Sequence, residues 1–63
     1  MEYIVHTDGA PYITTTPEAA LCKAAMMIWF PQGKIADYRK ALSEGENVNI
    51  VYGFKTVSIT VEH

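Results

Sequence analysis

Polar and apolar residues alternate most regularly near the C-terminal end of the chain. Asn47-Val48-Asn49-Ile50-Val51-Tyr52 and Lys55-Thr56-Val57-Ser58-Ile59-Thr60-Val61 read with a period close to two, which predicts two strands around Gly53-Phe54. Glycine at the first central position suits a two-residue type II′ turn. Such a turn pairs Tyr52 with Lys55, Ile50 with Val57 and Val48 with Ile59. The opposite face then pairs Val51 with Thr56, Asn49 with Ser58 and Asn47 with Thr60. A three-residue loop would set Ile50 against Ser58 and mix apolar with polar along the ladder. Because a one-residue slip moves every side chain to the wrong face, the agreement of the two-residue register predicts this hairpin. Val48, Ile50, Val57, Ile59 and Val61 become the covered face.

A second strand pair is expected at the other end. Tyr3-Ile4-Val5-His6-Thr7 is rich in β-branched and aromatic residues and predicts a strand, with Tyr12-Ile13-Thr14-Thr15 as the return strand. Asp8-Gly9 between them suits the positive φ angles of a tight hairpin turn. Pro11 has no N–H for a ladder, so the return strand lies at an edge or begins at Tyr12.

Between the hairpins the period changes. Thr16-Pro17-Glu18 starts a helix: Thr16 as N-cap accepts from orphan backbone donors, Pro17 sits at the first helical position, and Glu18 favours the positive end of the helix dipole. Alanine, leucine and methionine carry this helix to about Phe30, where Pro31 and Gly33 stop it. A second helix fits Lys34 to about Ser43, with Ile35, Tyr38 and Leu42 on one stripe and Lys34, Asp37, Arg39 and Lys40 turned away. Gly45 is its natural C-cap. The element order is ββααββ. The expected fold class is α+β, a single small domain over residues 1–63 with an antiparallel sheet and its helices packed on one face. The Asn/Ser/Thr face would meet solvent.

The densest apolar segment is AALCKAAMMIWF, Ala19 to Phe30, in which Lys23 is the only charge. On a wheel of about 100° per residue, Leu21, Ala24, Ala25 and Ile28 cluster toward the sheet. Lys23 lies nearly opposite, flanked by Met26, Met27 and Phe30, with Cys22 and Trp29 at a boundary. Either the second helix and the Pro31-Gln32-Gly33 turn cover these residues, or they face a partner. Apolar patches on monomers rarely exceed a few hundred Å², and Met and aromatics are enriched at interfaces. The expected interface is therefore Lys23, Met26, Met27, Trp29 and Phe30, with Trp29 as anchor.

Composition narrows the classes of function. A chain of 63 residues buries only about 60% of its unfolded surface and is marginal without help. Cys22 is the only cysteine, so no disulfide forms within the chain, and it reads as a small buried hydrophobe from a reducing compartment. No Cys/His cluster offers a metal ligand set and no glycine-rich loop offers a phosphate cradle, so no cofactor is expected. Association with a second copy or another protein remains as the usual aid to a small domain. With 5 basic and 7 acidic residues, net charge −2, neither a duplex-binding surface nor a mimic of nucleic-acid charge is expected. The opening Met1-Glu2-Tyr3 lacks a basic leader region, and Ala19–Phe30 is shorter than the roughly 20 residues that span a bilayer. A soluble, cytoplasmic protein with no membrane partner is the expectation.

Candidate chemistry is thin. His6, Asp8 and His63 could bind a metal or move a proton, but no spacing fixes them together. Cys22 with His6 as a nucleophile pair lacks the electropositive setting that makes a thiolate. Glu44 and Glu46 bracket Gly45 as a solvated connection rather than a catalytic pair. Tyr3, Tyr12, Tyr38 and Tyr52 could stack on single-stranded bases, with Tyr12 and Tyr52 best placed, but such platforms normally line a positive groove. The polar face of Asn47, Asn49, Ser58 and Thr60 could bind a protein or ligand, or simply be solvated.

The expected function is thus a non-enzymatic protein-interaction module, a homodimer that binds and modulates a larger protein. In size and lack of chemistry it is similar in type to small accessory or regulatory proteins, such as those phages use to block host machinery, with no motif that maps residue by residue. The alternative is a small nucleic-acid-binding regulator using the strand tyrosines.

Overall fold

The computed structural model describes residues 1–63 and places four antiparallel strands in one sheet, with two helices across one of its faces. In chain order the elements are β1 (Glu2–His6), β2 (Tyr12–Thr14), α1 (Pro17–Met27), a 3-10 turn (Gln32–Lys34), α2 (Ile35–Ser43), β3 (Val48–Tyr52) and β4 (Lys55–Glu62). The strand order is β2-β1-β4-β3. The N- and C-terminal strands therefore pair at the centre, with Tyr3 opposite Val61 and Val5 opposite Ile59. The two helices carry the chain from the β2 edge to the β3 edge and cover the sheet on the way. This is the α+β arrangement that the sequence predicts.

The β3–β4 hairpin has the predicted register: Val48–Ile59, Asn49–Ser58, Ile50–Val57, Val51–Thr56 and Tyr52–Lys55 are opposed. Gly53 has φ of 62° and Phe54 has no positive φ, which matches a turn whose first central residue alone is left-handed. The Asn47 side chain extends the ladder by accepting from the Val61 N–H at 2.9 Å.

The β1–β2 connection differs from expectation. Val5 does oppose Tyr12, the alignment a turn centred on Asp8-Gly9 requires, but the ladder stops there and neither turn residue has positive φ. Thr7 organises the tip instead. Its hydroxyl accepts from the Gly9 N–H at 3.1 Å and donates to the Ala10 carbonyl at 3.0 Å. Pro11 cannot donate, so the pairing has no reason to continue outward.

Helix α1 begins as predicted: the Thr16 hydroxyl accepts from the Ala19 N–H at 3.2 Å and Pro17 opens the helix. It ends early. Ile28 is extended (φ −147°, ψ 143°), so the segment Ile28-Trp29-Phe30 leaves the helix rather than completing its last turn. Proline at 31 disfavours the helical region for Phe30, and a β-branched residue gives up little by stopping at Ile28. Lys55 of β4 donates its ammonium to the Met27 carbonyl at 2.9 Å, placing positive charge at the negative end of the helix.

Helix α2 presents the predicted stripe, with Leu42 fully buried and Ile35, Tyr38 and Ala41 packed against the core. It closes in a Schellman motif. Gly45, at φ 85°, donates to Leu42 at 3.0 Å and Glu46 donates to Ala41 at 2.9 Å.

The core is wholly apolar, and no buried side-chain polar atom lacks a partner. Val48, Ile50, Val57, Ile59 and Val61 line its sheet side as expected, joined by Tyr3 and Val5. On α1 the buried residues are Ala20, Leu21 and Ala24, while Ala25 is exposed. The expected face was thus rotated by part of a turn. Two alanines four residues apart let the helix settle closely on the sheet, which a wheel counting only apolar residues does not distinguish from Ala25.

Candidate interaction surface

The early end of α1 decides where the exposed apolar residues go. A three-residue extended segment alternates inward and outward. Ile28 and Phe30 enter the core and Trp29 points out, 65% exposed. The Phe30 ring meets Tyr38 edge to face, centroids 5.5 Å apart. Trp29 meets Tyr52 of β3 in the same way at 5.1 Å and 86°. Such pairs contribute about 0.5–1.5 kcal/mol beyond the area they cover. That contact fixes a large aromatic side chain against the outermost strand.

The five residues expected at an interface therefore do not form one patch. Phe30, 9% exposed, is core, and Met27 packs partly against the core. Lys23 and Met26 face the other side of the molecule. There the Lys23 ammonium sits 5.4 Å from the Tyr12 ring centroid and Met26 is 78% exposed. With Ala19 and Cys22 they line a shallow depression beside β2. Only Trp29 of the five belongs to the β3 side.

Around Trp29 the structure gathers residues that the helical wheel could not bring together. A cleft of about 420 Å³ is lined by Trp29, Phe30, Pro31, Lys34, Tyr38, Val51, Tyr52 and Gly53. Phe54 stands fully exposed at the adjoining turn, and Val51 is 67% exposed. Of the large exposed hydrophobic residues, Trp29, Val51 and Tyr52 thus lie on or beside β3, while Phe54 at the turn lines a separate depression with His6, Thr7, Asp8 and Met27. The signal available in the sequence was the Pro31 restriction on Phe30 together with the uncharged run Val48–Tyr52.

The β3 edge is also chemically open. Natural sheets blunt their edges with short strands, charges, proline or bulges. Strand β3 has five residues, Val-Asn-Ile-Val-Tyr, with no charge and no proline, and its register is unbroken. The other edge, β2, has three residues and is preceded by Pro11.

The remaining candidates are dispersed. His6 Nε2 lies 2.8 Å from the Thr60 hydroxyl on the open sheet face, and His63 packs its ring over Gly45. Asp8 is exposed in the first connection, as are Glu44 and Glu46 beside Gly45. No three of the His, Cys, Asp and Glu side chains come close enough to hold a metal ion. Cys22 is exposed rather than buried, on the wall of a cleft of about 250 Å³ between α1 and α2 that also holds Glu18 and Arg39. Asn49 accepts from the Ser58 hydroxyl at 2.8 Å, so two of the four polar open-face residues satisfy each other. Tyr38 and Tyr52 line the same cleft beside Trp29, but the four tyrosines form no common platform. By register Tyr3, Tyr12 and Tyr52 lie on the helix side of the sheet, where Tyr3 is buried, Tyr12 sits under Lys23 and Tyr52 is held by Trp29.

No helix is long and apolar enough to cross a membrane. Compared with known protein families, characterised proteins and solved structures, the chain matches none.

Proposed function

We propose that this protein is a non-enzymatic interaction module that works by binding another protein surface, through the β3 edge, where Trp29 and Tyr52 stand together on the helix side, Val51 on the open face and Phe54 at the adjoining turn. The observation that carries the reading is the exposure of these four side chains beside an uncharged edge strand. Tryptophan and tyrosine are over-represented among residues that dominate binding energy, and extended segments commonly add to open sheet edges. Trp29 is held in place by Tyr52 before any partner arrives, which lowers the ordering cost of binding. Modulation of a larger protein and self-association both fit such a surface.

The test is capture from the native host with the wild-type chain and with a Trp29→Ser/Phe54→Ser double variant. The reading expects specific proteins bound by the wild type and lost with the variant, which keeps the wild-type circular dichroism and a cooperative melt lowered only by the several degrees that loss of the Trp29–Tyr52 contact brings. Identical capture by both proteins, or no capture by either, contradicts it.

A further inference from the structure

We infer that the β3 edge is completed by the β3 strand of a second copy of this chain, in antiparallel register about a two-fold axis through Ile50. This deepens the reading of the same aromatic edge by naming one partner, and it rests on that reading.

The backbone geometry comes first. In an antiparallel ladder, successive residues direct their N–H and C=O groups to alternate sides. The Val61 N–H points toward β3, because Asn47 accepts from it. By alternation Lys55, Val57 and Ile59 also face β3, and their partners Tyr52, Ile50 and Val48 face back toward β4. Asn49 and Val51 are left with both backbone groups directed outward. Nothing in the chain pairs with them, since β3 ends the strand order.

A two-fold axis through Ile50 satisfies both at once. Asn49 then opposes Val51 of the second copy and exchanges both backbone bonds with it, and the symmetric pair does the same. Tyr52 opposes Val48 of the second copy on the helix side of the sheet. The strand carries no charge, so its own copy brings no like-charge repulsion along the ladder.

The flanks are complementary as well. At each end of the ladder Tyr52, whose cleft Lys34 lines, lies opposite Val48 of the second copy, two residues after that copy's Glu46. Residues of opposite charge thus lie at the same end of the ladder. Trp29, standing on Tyr52, is carried against the incoming strand. Two four-stranded sheets become one continuous sheet, and the open, uncharged edge disappears.

The experiment combines amide hydrogen exchange by NMR with molar mass by light scattering on the intact chain. The expected results are a mass of twice 7.0 kDa and amides at Asn49 and Val51 that exchange as slowly as that of Ile50. Val51→Pro removes an outward N–H that β4 does not use. It is expected to return the mass to 7.0 kDa while the amides of β1 and β4 stay protected. If Val51→Pro fails to fold, the wild-type exchange pattern decides the matter. Fast exchange at Asn49 and Val51, or a dimer that survives Val51→Pro, overturns the pairing. Either result leaves the protein-binding reading to its own Trp29 test, so the two failures are distinguishable.

Discussion

The two edges of this sheet are built by opposite rules. Strand β2 is three residues long, its ladder ends where Pro11 removes a donor, and Lys23 extends its ammonium over Tyr12. Strand β3 is five residues long, uncharged and free of proline, and Trp29 stands beside it on Tyr52. One edge is terminated by the same means that keep other sheets from pairing further; the other retains every group needed to pair. The difference teaches that the apolar surplus of this chain is not spread over a helix face. It divides between the two edges, with Tyr12, Ile13 and Met26 on the β2 side and Trp29, Val51 and Tyr52 on the β3 side, and only the β3 side joins it to a five-residue strand with nothing to stop further pairing.

The sharpest way to break the comparison is at the two neighbours that build the β3 side. Phe30→Ala empties a core position between α2 and the sheet and is expected to cost about 3–5 kcal/mol in urea denaturation. Trp29→Ala, one residue away, removes an exposed ring and its edge contact and is expected to cost roughly 1 kcal/mol of monomer stability. Similar costs for the two would mean that the chain stays helical through Phe30.

Turn geometry gives the next effect. Gly53→Ala forces a side chain onto φ of 62° at the turn that aligns β3, with an expected loss of about 1–2 kcal/mol. The β2 side should respond less. Thr16→Ala removes the cap that starts α1 just after β2 and is expected to cost about 1 kcal/mol by thermal melting. Lys23→Ala loses the contact over Tyr12 and is expected to cost about 0.5 kcal/mol without changing molar mass.

What the sequence made legible follows from how local each signal is. The β3–β4 register was readable because a two-residue turn leaves one alignment that keeps apolar residues together. Thr16-Pro17 and Gly45 were readable because caps are set by a single residue's side chain or φ. Helix α2 was readable from Ile35, Tyr38 and Leu42 alone. The end of α1 was not, because high helix propensity continues through Met27 and a single inward–outward–inward alternation at Ile28-Trp29-Phe30 is too short to stand out. A helix continued through Phe30 puts Phe30 on the candidate surface and leaves Tyr52 and Phe54 off it. The Thr7 hydroxyl bonds at the first turn were hidden for a similar reason, since Asp8-Gly9 favours a tight turn by type. The β1–β4 pairing joins the ends of the chain, and no local pattern reports it.

The claim that β3 is the edge at which this protein binds a copy of itself is tested most directly by comparing outward-facing amides on the two edges. Because Ile4 pairs with β4 through its backbone and Tyr3 and Val5 serve β2, Ile13 is the β2 residue whose N–H faces outward. Hydrogen exchange on the intact chain should show Ile13 exchanging fast while Asn49 and Val51 are protected. Equally fast exchange at all three would contradict the account.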